Sequence, residues 1–126
     1  MTNREKYILS IYEELSDMGK HENVKLVKNT VNDGIYIKKT LKNYNIEIYK
    51  ILKNRQIKGI PKVYEIIEDE KELIIIEEYI HGLTLDKKYN KTDVETVKKI
   101  MEQLCNILKQ LHNMNPPIIH RDIKPT

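Results

Sequence analysis

The sequence predicts an α+β fold: antiparallel strands with one inserted helix, then a long helix. Three observations predict it. Two turn signals, Asn32-Asp33-Gly34 and the charged run Glu68-Asp69-Glu70-Lys71-Glu72, each divide a pair of strand-like segments. A short apolar-periodic stretch lies between the two pairs, and the clearest helical pattern of the chain follows the last of them.

Taken in order, residues 4–16 carry Ile8, Ile11, Tyr12 and Leu15 at helical spacing, which predicts a short leading helix. Strands follow over residues 24–28 and 35–41. They are joined by Asn32-Asp33-Gly34, residue types that tolerate positive φ and so favour a hairpin. Ile46, Ile48, Tyr49, Ile51 and Leu52 predict a short helix that ends before Gly59-Ile60-Pro61. Residues 62–67 and 73–79 form the second hairpin. Ile74-Ile75-Ile76 lacks alternation, as a strand covered on both faces requires. Residues 80–91 are polar and irregular around Gly82. The long helix runs over 93–113, with Thr92 and Glu95 as a capping box and Asn115-Pro116-Pro117 as its stop. Val94, Val97, Met101, Leu104, Leu108 and Leu111 share one of its faces.

Composition narrows the function. The 126 residues, 40% hydrophobic and 33% charged, suit a globular chain that buries roughly two thirds of its unfolded surface. Without Trp, Phe or Ala, the core must come from Ile, Leu, Val and eight Tyr. A net charge of +3 spread along the chain gives no concentrated basic face for nucleic acid. One cysteine, Cys105, excludes a disulfide framework and suits a reducing compartment; it falls on the apolar side of the long helix, as an inert buried thiol would. The four histidines show no metal-ligand pairing. No signal peptide and no apolar run of about 18 residues is present, so a cytoplasmic protein without membrane attachment is expected.

The last residues carry the chemistry. Ile118-Ile119-His120-Arg121-Asp122-Ile123-Lys124-Pro125-Thr126 resembles the catalytic loop of the eukaryotic-type protein kinases, in its Ser/Thr version. The resemblance extends from about Asp17 to Thr126. It implies a small lobe of five antiparallel strands with one helix over residues 1–80, preceded by the short leading helix. The hinge, the long helix and the catalytic loop of the large lobe would occupy 81–126.

The resemblance also implies roles. Asp122 would accept the substrate hydroxyl proton and Lys124 would stabilise the transferring phosphate. His120 and Arg121 would be structural. ATP would sit between the lobes. Its phosphates would be gripped by a strand lysine, for which Lys38 and Lys39 compete. Alternation puts Ile35, Ile37 and Lys39 on one face and Tyr36 and Lys38 on the other, so an apolar face ending in Lys39 favours the latter. Glu47, the single Glu between residues 42 and 64, would orient that lysine, although seven residues is a short separation for this family.

Anchoring on Val24 as the side chain that covers adenine aligns the three phosphate-loop glycines of the family with Asp17, Gly19 and Glu22, so one glycine is kept. In the hinge, Glu78-Tyr79-Ile80 resembles the segment whose backbone pairs with adenine at Glu78 and Ile80, and Glu77 would gate the back pocket. The sequence reaches Thr126 one residue before the family's Asn. The expectation is therefore a piece of a kinase that is inactive by itself, with ATP and Mg²⁺ as cofactors of the whole enzyme and a protein as its substrate. Exposed apolar residues of the 93–113 helix predict a homodimer through that helix. Two rival readings remain: a degenerate pseudokinase that acts as a binding module, and a small-molecule phosphotransferase, which Arg121 and Lys124-Pro125 disfavour.

Overall fold

The computed structural model describes residues 1–17, 23–88 and 93–124. They form two compact units: residues 1–56 with 61–80, and residues 57–60 with 81–126.

The first unit begins with helix α1, Asn3–Ile11, held by a reciprocal cap. The Thr2 hydroxyl accepts from the Glu5 N–H and the Glu5 carboxylate accepts from the Thr2 N–H, each at 3.1 Å. The helix expected over 4–16 stops there, and Tyr12–Asp17 forms strand β1 instead. Helical spacing loses to tertiary pairing. The Ile11 carbonyl accepts from the Thr30 N–H, and the Tyr12 ring meets Tyr36 edge-on at 5.5 Å. Glu14 reaches Lys25 and Lys38 across the sheet.

The remaining strands are β2 (Val24–Asn29), β3 (Ile35–Leu41), β4 (Val63–Glu68) and β5 (Leu73–Glu78), with helix α2 (Ile46–Asn54) between β3 and β4. All pairings are antiparallel, in the order β1-β2-β3-β5-β4. The five-stranded sheet with its helix is the small-lobe architecture that the resemblance implies. The first hairpin turns where expected, with Asp33 at φ 61°. Its anchor is Asn29, buried at the end of β2, whose side-chain oxygen accepts from the Val31 and Asn32 N–H groups.

α2 covers one sheet face. Ile46, Tyr49 and Leu52, with Tyr44 before the helix, pack on Val63, Leu73 and Ile75, joined by Leu41 and Ile66. Leu73, Ile75 and Ile76 are fully buried, so β5 is the doubly covered strand its unbroken apolar run implied.

The second unit holds a short helix α3 (Leu85–Lys88) and the long helix α4 (Val94–His112). The cap is Asp93, whose carboxylate accepts from the Thr96 N–H at 2.7 Å. Thr92, expected in that role, lies outside the described residues. Along the apolar stripe of α4, Leu111 is buried and Leu104 and Leu108 are half-buried, while Val94, Val97 and Met101 are exposed. Cys105 is exposed too, contrary to the expected burial, because it lies beside Met101 on the face left open. Residues 57–60 pack on α4 so closely that a Cβ on Gly59, itself at φ 92°, would lie 2.5 Å from Ile107 Cδ1.

Candidate functional site

In the first unit Val24, Lys39 and Glu77 share the face of the sheet that α2 covers. Strand pleating separates the two competing lysines. Lys38 Nζ lies 3.3 Å from Glu14 on one face, whereas Lys39 Nζ lies 2.6 Å from Glu77 Oε1 on the other. The register explains the second pair. Val24 of β2 and Ile75 of β5 lie directly across from Lys39, and Glu77 lies across from Ile37, so the lysine reaches diagonally over one residue pair. Val24 thus shares the face of Lys39. The Glu77 side chain is 12% exposed and that of Lys39 35%. A carboxylate withdrawn so far from water requires a cation, and Lys39 supplies it.

Glu47 does not meet Lys39 in this structure. β3 runs on to Leu41 and α2 starts only at Ile46, so Glu47 falls in the outermost turn. Its N–H donates to the Asn45 cap, and its carboxylate stands in solvent, 3.4 Å from Lys50. The residue that α2 turns inward toward the pair is Tyr49. Burial raises the pKa of its phenol above the ordinary value, with Lys39 pulling it down and Glu77 pushing it up.

The hinge residues close β5. The Glu78 N–H donates to the Lys62 carbonyl at 2.8 Å, and the Glu78 carboxylate accepts from the Lys62 N–H at 3.1 Å. Ile80 follows the strand with its side chain exposed. Gly19 and Glu22 of the expected phosphate loop lie outside the described residues.

In the second unit, buried Ile118 ties the chain down after α4, its N–H donating to the Leu111 carbonyl at 3.0 Å. The polypeptide then emerges into solvent. Arg121 takes φ 70°, a left-handed conformation uncommon for a residue with a side chain. The bend lets the Asp122 N–H donate to His120 Nδ1 at 3.1 Å. Asp122 and Lys124 are brought together, carboxylate to ammonium at 3.5 Å, and both remain largely exposed. The result is an open carboxylate that can accept a proton and a cation beside it that can meet a phosphate oxygen. Pro125 and Thr126 lie outside the described residues.

Among the described residues no three His, Cys, Asp or Glu side chains converge on one point. No helix among them is long and apolar enough to cross a membrane.

Glu77 and Tyr49 were not foreseen as neighbours of the lysine. A signal for Glu77 does exist: a carboxylate two residues beyond Ile75, on the same face of an otherwise apolar strand, calls for a buried cation.

Comparison with known proteins places these features. The family model of the protein kinase domain matches residues 12–126. Calcium-dependent protein kinase 5 of Plasmodium falciparum is 32% identical over 141 residues, covering 96% of this chain and 24% of that protein. Serine/threonine-protein kinase PKH1 of Saccharomyces cerevisiae is 33% identical over 112 residues, covering 86% and 14%. Serine/threonine-protein kinase D of Synechocystis sp. is 38% identical over 66 residues, covering 52% and 12%. The chain spans about a quarter or less of the length of these relatives.

Proposed function

The chain belongs to the protein kinase family, and from that premise we propose that a protein containing it transfers the γ-phosphoryl group of ATP to a Ser or Thr hydroxyl of a protein substrate in the cytoplasm. The observation that carries the proposal is the Asp122–Lys124 pair, 3.5 Å apart in a His-Arg-Asp-Ile-Lys loop. Asp122 accepts the hydroxyl proton as the oxygen attacks in line, and Lys124 neutralises charge on the phosphoryl oxygens in flight. In the first unit Lys39 holds the nucleotide phosphates. Val24, on the same face, lies against the adenine, and the backbone at Glu78 and Ile80 pairs with the base edge. Gly19 belongs to the loop over the phosphates. Glu47, exposed and paired with Lys50, is the weakest member of the expected set.

Magnesium is the metal that this chemistry uses in the family, where it neutralises charge on the phosphates. The described residues bring no cluster of three protein ligands to it. We propose that the 126 residues by themselves do not complete the reaction. In the full-length protein, Asp122→Asn should abolish radiolabel transfer from Mg-ATP to a protein substrate while the fold is retained. Transfer at the unmodified rate would refute the assignment.

A second reading is a pseudokinase, which binds partners through this fold without transfer. It is favoured by Asp17 and Glu22, carboxylates in place of two glycines where a triphosphate would lie. Phosphoryl transfer by the full-length protein with Mg-ATP separates the two, since the pseudokinase would catalyse no transfer whether or not it bound nucleotide.

A further inference from the structure

We propose that Glu77, at the end of β5, is the residue that positions Lys39, in the role that resemblance assigned to Glu47 on the helix. The inference rests on the reading of Lys39 as the phosphate-binding lysine. Three observations carry it. The Lys39–Glu77 contact, at 2.6 Å, joins the most buried carboxylate among the described ion pairs to a lysine on the same sheet face. Glu47 is directed to solvent and engaged with Lys50. Tyr49, packed in the core beneath α2, occupies the inward-facing place on that helix and is close enough to sense both members of the pair.

The physical consequence differs from that of a helix-borne partner. A Glu carried on α2 could leave the lysine whenever the helix moved. Glu77 is fixed by the β3–β5 ladder, which contains Lys39 itself, so the ammonium is held by the same sheet that carries it. Lys39 remains 35% exposed, so its other N–H donors can still meet a phosphate oxygen while one stays on Glu77. The orienting contact is then permanent, and activation by movement of α2 has nothing to switch at this point.

The test uses the full-length protein with Mg-ATP and a protein substrate, comparing Glu77→Gln, Glu77→Asp, Glu47→Gln and Lys39→Met. Glu77→Gln should lower kcat about a hundredfold, as misplacement of a phosphate-contacting group does, with a smaller change in KM for ATP. Glu77→Asp should recover part of that loss, and Glu47→Gln should lower kcat much less than Glu77→Gln does. A second readout does not depend on turnover: reductive methylation followed by mass spectrometry. Lys39 should react more slowly than exposed Lys50 or Lys98 and should become faster in Glu77→Gln. A large loss in Glu47→Gln with none in Glu77→Gln, or Lys39 as reactive as Lys50, would overturn the role of Glu77 alone. Full activity in Lys39→Met would overturn the underlying reading of the lysine, and the two failures are thereby distinguishable.

Discussion

At the scale of single residues, Lys38 and Lys39 differ only in which way a pleated strand turns them. Lys38 sits in a surface pair with Glu14, and such pairs contribute about 0–1 kcal/mol. Lys38→Met should therefore leave both stability and rate of the full-length protein almost unchanged. Lys39→Met should cut the rate by orders of magnitude, measured as phosphoryl transfer at saturating Mg-ATP; the opposite result would mean that β3 is read in the wrong register. Asn29 offers a purely structural counterpart. It is buried, and its side-chain oxygen satisfies two turn N–H groups. Asn29→Ala leaves them without an acceptor, at a cost of about 1–3 kcal/mol, to be read from urea unfolding of the 126-residue chain. A cost near zero would show that water replaces the side chain. Nothing in the sequence singles out Asn29 among the chain's many asparagines. What fixes its role is that β2 ends there, a boundary set by pairing with β1 and β3.

At the scale of elements, the long helix shows what sequence reading can and cannot reach. Its period was legible because apolar residues recur along nineteen residues, and its end because Pro116 and Pro117 cannot continue it. Its first residue was misplaced by one, since Thr92 and Asp93 are both good caps and only the backbone chooses. The Asp93 carboxylate accepts from the Thr96 N–H, a bond that holds its pKa below the ordinary carboxylate value. The sign follows from the linkage: a lowered folded-state pKa gives stability that is present above the unfolded pKa, near 4, and lost as pH falls through the folded one. Asp93→Ala should accordingly lower Tm at pH 7 and have a shrinking effect toward pH 3. A penalty of equal size at both pH values would exclude the charged cap as its source.

β1 was less legible still. Residues 12–17 have helical spacing with the residues before them and become a strand only because the edge of β2 accepts them. The Lys39 site was half-readable for the same kind of reason: alternation picks the lysine, but its partner depends on the register between β3 and β5, which no local pattern encodes. The loop at residues 57–60 makes a third element-scale case, because Gly59 must accept φ 92° and leave room for Ile107. Gly59→Ala meets both penalties and should destabilise the second unit by about 1–3 kcal/mol. Hydrogen exchange of the α4 amides would register that as faster opening, with the β-sheet amides unaffected.

At the scale of the whole molecule, the open question is what lies on the exposed face of α4. Val94, Val97 and Met101 are each at least 45% exposed, at positions 94, 97 and 101, one helical stripe. The C-terminal part of the stripe, at Leu104, Leu108 and Leu111, is half-buried or buried, so the part of the stripe left open is the N-terminal half alone. Each large apolar side chain returned to water forgoes about 1.5–3 kcal/mol of burial. A two-fold pairing of the helix with its own copy would recover that burial with a single self-complementary patch. We expect the 126-residue chain, expressed as such, to dimerise at micromolar concentration through this half of α4. The substitutions that test the interface follow from the burial pattern: Val97→Glu with Met101→Glu alters exposed positions and spares the fold, whereas Leu104 and Leu108 are half-buried. Sedimentation velocity should show a dimer that becomes a monomer in the double variant, with circular dichroism unchanged. A monomer in both proteins would remove the dimer. A dimer that persists in the double variant would place the contact elsewhere on the surface.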